Sequence, residues 1–307
     1  MNFQQLRILC ATVRHQFNLT EVANVLYTAQ SGVSKHIKDL EDELGVEIFI
    51  RRGKRLIGLT EPGKELMPIV ERILLDTNNI KRLGEQFAHR DEGRLIIAAT
   101  HTQARYALPP VVTRFKRELP KVHLELRQCG PPEVVSLLRA GEVDIGLATE
   151  AVGDEAEQLV SFPFYQWHHA VLVPEGHPLT QVEPLTLEAL AQYPIVTYHP
   201  GYAGRGHIDD AFSAAGLTPD VVLSALDADV IKTYVELGLG VGIMAAMAYN
   251  PVRDTGLELL PCDGLFAVNT TRIALRRGHY LRNFALQFVI SCVPSLTKAQ
   301  VQEAVFS

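Results

Sequence analysis

The chain has 307 residues, 47% hydrophobic and 21% charged, enough for two or three folding units and too apolar for wholesale disorder. Its formal charge of −6 is unevenly spread: residues 1–90 stand at +2 and the remainder at −8, a pattern that suits a cationic module meeting a polyanion and joined to an acidic body. The long uncharged stretch Leu237 to Val252 carries Gly238, Gly240, Gly242 and Pro251 and falls short of the ~20 apolar residues of a membrane span. The opening MNFQQLRILC lacks a signal-peptide pattern, and Cys10, Cys129, Cys262 and Cys292 show no CxxC spacing. A cytoplasmic protein with reduced thiols, no membrane contact, no metal and no cofactor is expected.

In chain order, Phe3, Leu6, Cys10 and Val13 recur at helical spacing, and Val22, Ala23 and Leu26 do so after the capping candidates Asn18 and Thr20. A turn at Tyr27 and Thr28 leads to a third helix whose buried stripe reads Val33, Ile37, Leu40 and Leu44 and which ends at Gly45. Its other face carries Gln30, Ser31, Ser34, Lys35 and Lys38: short polar groups for base edges and lysines for phosphates. Ile48 to Leu59 reads as a hairpin with Arg51, Arg52, Lys54 and Arg55 at its tip, the wing of a helix-turn-helix DNA reader. The plain alternative is a small helical bundle with a solvated charge run.

From Thr60 to about Ala88 a long helix carries Leu66, Ile69, Ile73, Ile80, Leu83 and Phe87 near heptad spacing. One helix cannot bury that seam, so it pairs with a second subunit or packs on its own domain. Pro68 either bends the helix or moves its start later.

After a short hinge at Asp91 to Gly93 the pattern becomes α/β with a largely parallel sheet: strands at Leu95 to Ala98, His123 to Arg127, Val143 to Ala148, Ile195 to Thr197, Val221 to Ala225 and Leu237 to Ile243 alternate with helices. Thr100, Thr102, Gln103, Thr149 and Thr197 fall at strand ends, where such sheets bind ligands. Hydroxyls and amides beside free helix N–H groups suit a small oxyanion, although each also serves simply to cap a helix. An enzyme would have to use His168 and His169 beside Trp167, Asp209 and Asp210, or Cys129, and none has a partner at metal or triad spacing.

The array NLTEVANVLYTAQSGVSKHIKDLEDELGVEIFIRRGKRLIGLTEPGKEL resembles the N-terminal domain of LysR-type transcriptional regulators. THTQARYALP from Thr100, ATE at Ala148 to Glu150, LAQYPIVTY from Leu190 and DADVIKTYVELGLGVG from Asp227 resemble the sulfur-assimilation branch of that family, the CysB and Cbl regulators. The resemblance implies a winged helix-turn-helix (residues 1–59), a linker and dimerisation helix (60–90) and a two-lobed effector domain of the periplasmic-binding-protein kind (91–307). The first lobe would comprise about 91–162 and 267–307, the second about 163–266. It also implies a homodimer or homotetramer on double-stranded promoter DNA, contact with RNA polymerase, and sulfate, N-acetylserine, O-acetylserine or adenosine phosphosulfate as effector. Thr100, Thr102, Gln103 and Thr149 match the family's cleft residues, and Thr197, Tyr202 and Ala203 would face them. Where relatives read Thr-Gly-Arg, this chain has Ala203, Gly204 and Arg205 and so lacks one hydroxyl. The remaining alternatives are a LysR-type regulator of another pathway with an unrelated anion and, more remotely, a solute-binding protein, which would have no use for residues 1–90.

Overall fold

In the computed structural model of the chain, residues 1–88, 91–153 and 158–307 are described, and the chain divides into two units at Glu85 and Gln86. The first unit contains α1 (Phe3–Arg14), α2 (Leu19–Val25), α3 (Gln30–Leu44), the hairpin β1 (Phe49–Arg52) and β2 (Arg55–Leu59), and most of α4 (Glu61–Ala88). The Asn18 side chain accepts from the N–H groups of Thr20 and Glu21 and starts α2. Gly45, at φ +70°, ends α3 in the left-handed conformation that glycine adopts without strain. Leu6, Leu9, Val22, Val33, Ile37, Leu40, Ile48 and Phe49 close one apolar core.

Two positions differ from the expected stripes. Phe3 and Leu44 are exposed, because each is the terminal residue of its helix and lies beyond the core. The interior place on α3 goes instead to Glu41, one turn after Ile37, whose Oε1 accepts the N–H groups of Ile48 (2.9 Å) and Phe49 (3.2 Å) and whose Oε2 accepts from Arg51 (2.6 Å).

Thr60 caps α4 by accepting the Gly63 N–H at 3.1 Å. Gly63 is required there: a Cβ would stand 2.2 Å from the Ile48 carbonyl oxygen. Pro68 lies inside the helix and does not delay its start, which is Glu61. The proposed seam divides. Leu66, Met67, Val70, Ile73 and Leu74 pack into the unit's own core, whereas Ile69, Ile80, Leu83 and Phe87 remain exposed. The expected linker end at residue 90 lies outside the described residues.

The second unit runs β3 (Gly93–Ala99), α5 (Leu108–Glu118), β4 (Val122–Gln128), α6 (Pro131–Ala140), β5 (Ile145–Ala148), β6 (Leu159–Trp167), β7 (His169–Pro174), α7 (Leu187–Leu190), β8 (Ile195–Tyr198), α8 (Arg205–Ala214), β9 (Val221–Ala225), α9 (Ala228–Glu236), β10 (Val241–Ala245), β11 (Leu257–Leu260), β12 (Asn269–Arg276), α10 (Asn283–Cys292) and α11 (Lys298–Phe306). A single π turn, Gln103–Ala107, precedes α5, a distortion that often marks functional positions. Two five-stranded sheets form two lobes, in the orders β4-β3-β5-β12-β6 and β11-β7-β10-β8-β9.

The sheets are mixed rather than largely parallel: β12 lies antiparallel to β5 and β6, and β7 antiparallel to β10 and β11. The antiparallel members are the strands that pass between lobes. β6 continues into β7 with only His168 between them, and β12 brings the chain back to the first sheet. The first crossing therefore falls at His168, beyond the expected residue 162.

Candidate functional site

In the first unit, α3 presents Gln30, Ser31, Lys35 and Lys38 to solvent, with Ser34 half-buried beside them. Gln30 Nε2 donates to Ser34 Oγ at 3.0 Å, which holds both polar groups on one face. At the hairpin tip Gly53 takes φ +61° and turns the chain so that Arg52, Lys54 and Arg55 are exposed. Among the described residues no ion pair engages Lys35, Lys38, Arg52, Lys54 or Arg55. Arg51 differs from the other three wing cations. Its guanidinium is committed to the buried Glu41 and ties the hairpin to α3. A cavity of about 440 Å³ between the start of α2 and the wing is lined by Phe17, Asn18, Thr20, Gln30, Lys54 and Arg55, a polar and cationic recess suited to a phosphate.

In the second unit, β3 ends at Ala99. The Thr100 N–H continues its ladder to the Leu147 carbonyl (3.2 Å), and the Thr100 carbonyl accepts from Ala104 (3.0 Å) as the helix begins. Thr102 and Gln103 are almost fully buried at this junction, and Gln103 Oε1 accepts from the Tyr165 hydroxyl. Thr149 Oγ1 lies 3.3 Å from Thr271 Oγ1, which accepts from Trp167 Nε1 at 3.1 Å. Tyr165 thus holds Gln103, and Thr271 holds Thr149, two partners that the sequence reading missed. Burial pushes the Tyr165 phenol up to about 12 and keeps it a neutral donor. The signal in the sequence was the lone tryptophan, which stands two residues from Tyr165 on the same strand face.

Second-lobe residues contribute differently. Thr197 is fully buried and its hydroxyl donates to the Ile243 carbonyl at 2.9 Å, so it joins two strands and offers nothing to a ligand. Tyr202 reaches the first lobe at Gly130, where a Cβ would stand 2.3 Å from its hydroxyl. Ala203, at φ +45°, contributes through its backbone: its carbonyl meets His169 Nε2 at 2.9 Å. With Asn269 Nδ2 facing Nδ1 at 3.3 Å, His169 is the neutral tautomer that donates from Nε2 and accepts at Nδ1. Desolvation lowers its pKa to about 4. Arg205 turns away from the cleft to the Tyr198 carbonyl and Asp209. The cleft also holds an acid, Glu150, which accepts from the Gly204 N–H.

The positions an enzyme would have used are occupied structurally. His169 is locked in the crossing, Asp209 pairs with Arg205 at 2.7 Å, and burial pushes the Cys129 thiol up to about 11. His101, Asp227 and Asp229 come together, but Asp229 already pairs with Arg105 (2.8 Å) and Lys232 (3.2 Å). These charges line a separate cavity of about 690 Å³ with Tyr106, Arg253 and Asp254.

Residues 88–295 match the model of the LysR substrate binding domain, and residues 3–64 that of bacterial regulatory helix-turn-helix proteins of the lysR family. The chain belongs to the LysR family of transcriptional regulators. It is 58% identical to the HTH-type transcriptional regulator SsuR of Burkholderia cenocepacia over 98% of this chain and 97% of that one. It is 53% identical to CysB of the same organism (99% and 97%) and 52% identical to cbl of Escherichia coli K12 (99% and 97%). Among solved structures, the cofactor-binding domain of the Cbl transcriptional regulator superposes with a TM-score of 0.68 at 47% identity, covering 70% of this chain and 93% of that one. A full-length OxyR variant from Pseudomonas aeruginosa shares the fold, with a TM-score of 0.66 at 24% identity over 97% and 99%. LysR regulators bind promoter DNA and a small-molecule effector, act as oligomers and are not enzymes. No described helix is long and apolar enough to cross a membrane.

Proposed function

We propose that this LysR regulator controls sulfur-acquisition genes, for cysteine biosynthesis or for the use of sulfonates and sulfate esters, and senses a small sulfur-related anion or acetylserine in the cleft of its second unit. The observation that carries the reading is the convergence of Thr100, Thr102, Gln103 and Thr149 at two strand ends beside a π turn, in a chain about half identical to SsuR, CysB and Cbl. Neutral donors held by Tyr165, Thr271 and Trp167 suit an oxyanion, because rigid hydroxyls and amides replace its hydration at small entropic cost. Tyr202 and the Ala203 backbone close from the second lobe.

In the first unit Gln30, Ser31, Ser34 and Lys35 read the major groove, while Lys38, Arg52, Lys54 and Arg55 hold phosphates and Arg51 braces the wing. The working parts are residues 1–59 for DNA, 60–90 for dimerisation and 91–307 for the effector. The assembly is a homodimer or homotetramer in the cytoplasm that engages RNA polymerase at the promoter. Calorimetric titration of the full chain with sulfate, N-acetylserine, O-acetylserine and adenosine phosphosulfate tests the effector class. At least one should bind, and Thr100→Val should weaken it by about ten- to a hundredfold, the loss of one hydrogen bond to a charged group. Equal binding by Thr100→Val would refute the cleft.

A further inference from the structure

Ala203 (φ +45°) and Gly204 (φ +70°) are consecutive left-handed residues immediately before α8. The Gly204 N–H thus stands at the start of a ten-residue helix, where free N–H groups and the helix dipole favour an anion. Gly204 cannot carry a side chain, since a Cβ would meet Asn269 Oδ1 at 2.0 Å. The Gly204 N–H is already engaged: it donates to the carboxylate of Glu150, which reaches across from the first lobe on the residue next to Thr149. Burial raises the pKa of that carboxyl, while nearby backbone N–H groups, Gly204 first, and His207 act in the opposite direction. No lysine or arginine pairs with it among the described residues.

We propose that Glu150 is an internal competitor of the effector, a carboxylate that holds the lobe-closing Gly204 N–H until an oxyanion displaces it. The inference rests on the reading of the threonine cleft as the effector site. An oxyanion bound by Thr100 and Thr102 engages the second lobe through the Gly204 N–H, and two anions cannot share that donor. Effector binding therefore exchanges one anion for another at the start of α8 and releases the Glu150 side chain, while Thr149 stays on the effector. In this way occupancy alters how the lobes are tied without any new contact outside the cleft.

The test is calorimetric titration of the full chain with sulfate, comparing the unaltered protein with Glu150→Gln, Glu150→Ala and Thr100→Val. Both Glu150 variants should bind sulfate about tenfold or more tightly, since the competing charge is gone while the donors remain, and Thr100→Val should lose binding. Glu150→Gln keeps the volume and one acceptor, which guards against a packing defect in the alanine variant. If Thr100→Val loses sulfate while both Glu150 variants bind equally or more weakly, the competitor is refuted and the cleft stands. If Thr100→Val binds sulfate as the unaltered chain does, the cleft reading fails and the competitor with it; if no chain binds sulfate, neither Glu150 variant having gained it, the competitor is refuted.

Discussion

Trp167, the single tryptophan of the chain, packs edge-on against His169 at 5.1 Å, so its fluorescence reports directly on the crossing between lobes. His169 is 4% exposed and held neutral between the Ala203 carbonyl and Asn269, with a pKa lowered from 6.5 to about 4. A depressed histidine pKa favours the folded state above the unfolded value and loses that advantage as pH falls towards the folded value. The stabilisation is therefore complete above pH 6.5 and removed progressively between 6.5 and 4. The full shift corresponds to roughly 3 kcal/mol, of which about 2 kcal/mol is gone by pH 5. Glu150, whose pKa is raised, works with the opposite sign, which is why the decisive quantity is a difference between proteins. Urea unfolding followed by Trp167 emission at pH 7.5 and pH 5 should show a loss in the unaltered chain that shrinks by about 2 kcal/mol in His169→Gln, whose amide donates to Ala203 without titrating. An identical loss in both proteins would refute the assignment of a buried neutral histidine at the crossing.

Glu41→Ala strands the N–H groups of Ile48 and Phe49 and frees Arg51, so the first unit should lose about 2 to 4 kcal/mol in calorimetric melting, whereas an unchanged transition would mean that water replaces the carboxylate. Arg52→Ala with Lys54→Ala should flatten the salt dependence of DNA binding by about 0.9 in log–log slope per lost phosphate, on all sequences alike; an unchanged slope places the wing off the DNA. Ile80→Asp with Leu83→Asp alters side chains 72% and 43% exposed in the single chain, so folding should persist while light scattering shows dissociation. Retention of the full assembly mass would remove that stripe from the subunit contact. Ile73→Asp should instead unfold the first unit, because Ile73 packs in its own core.

The helix-turn-helix and wing were legible because their signals are local: a 3.6-residue apolar period, the Asn18 cap, Gly45 as terminator and a clustered cationic tip. The threonine cleft was legible through the abrupt change from apolar strand to polar helix start at Thr100 and at Thr149. What escaped depended on distant partners. β6 shows no clean two-residue burial alternation, because it is an edge strand paired only with β12 and a bulge opposite Thr271 and Arg272 switches its faces part-way along. Glu41 and Glu150 read as ordinary surface acids, yet their partners are backbone N–H groups, and for Glu150 that partner is 54 residues away. Thr197 shares its sequence signature with Thr100 and Thr149, and only the neighbouring strand reveals that its hydroxyl is spent on Ile243.

The most direct test of the account is footprinting of the full chain on a sulfur-gene promoter, with and without whichever sulfur ligand binds in titration, for the unaltered protein and for Thr100→Val. The account predicts equal protection of the operator by both proteins without ligand, and a ligand-dependent change in protection that Thr100→Val abolishes. A ligand response that persists unchanged in Thr100→Val would contradict it.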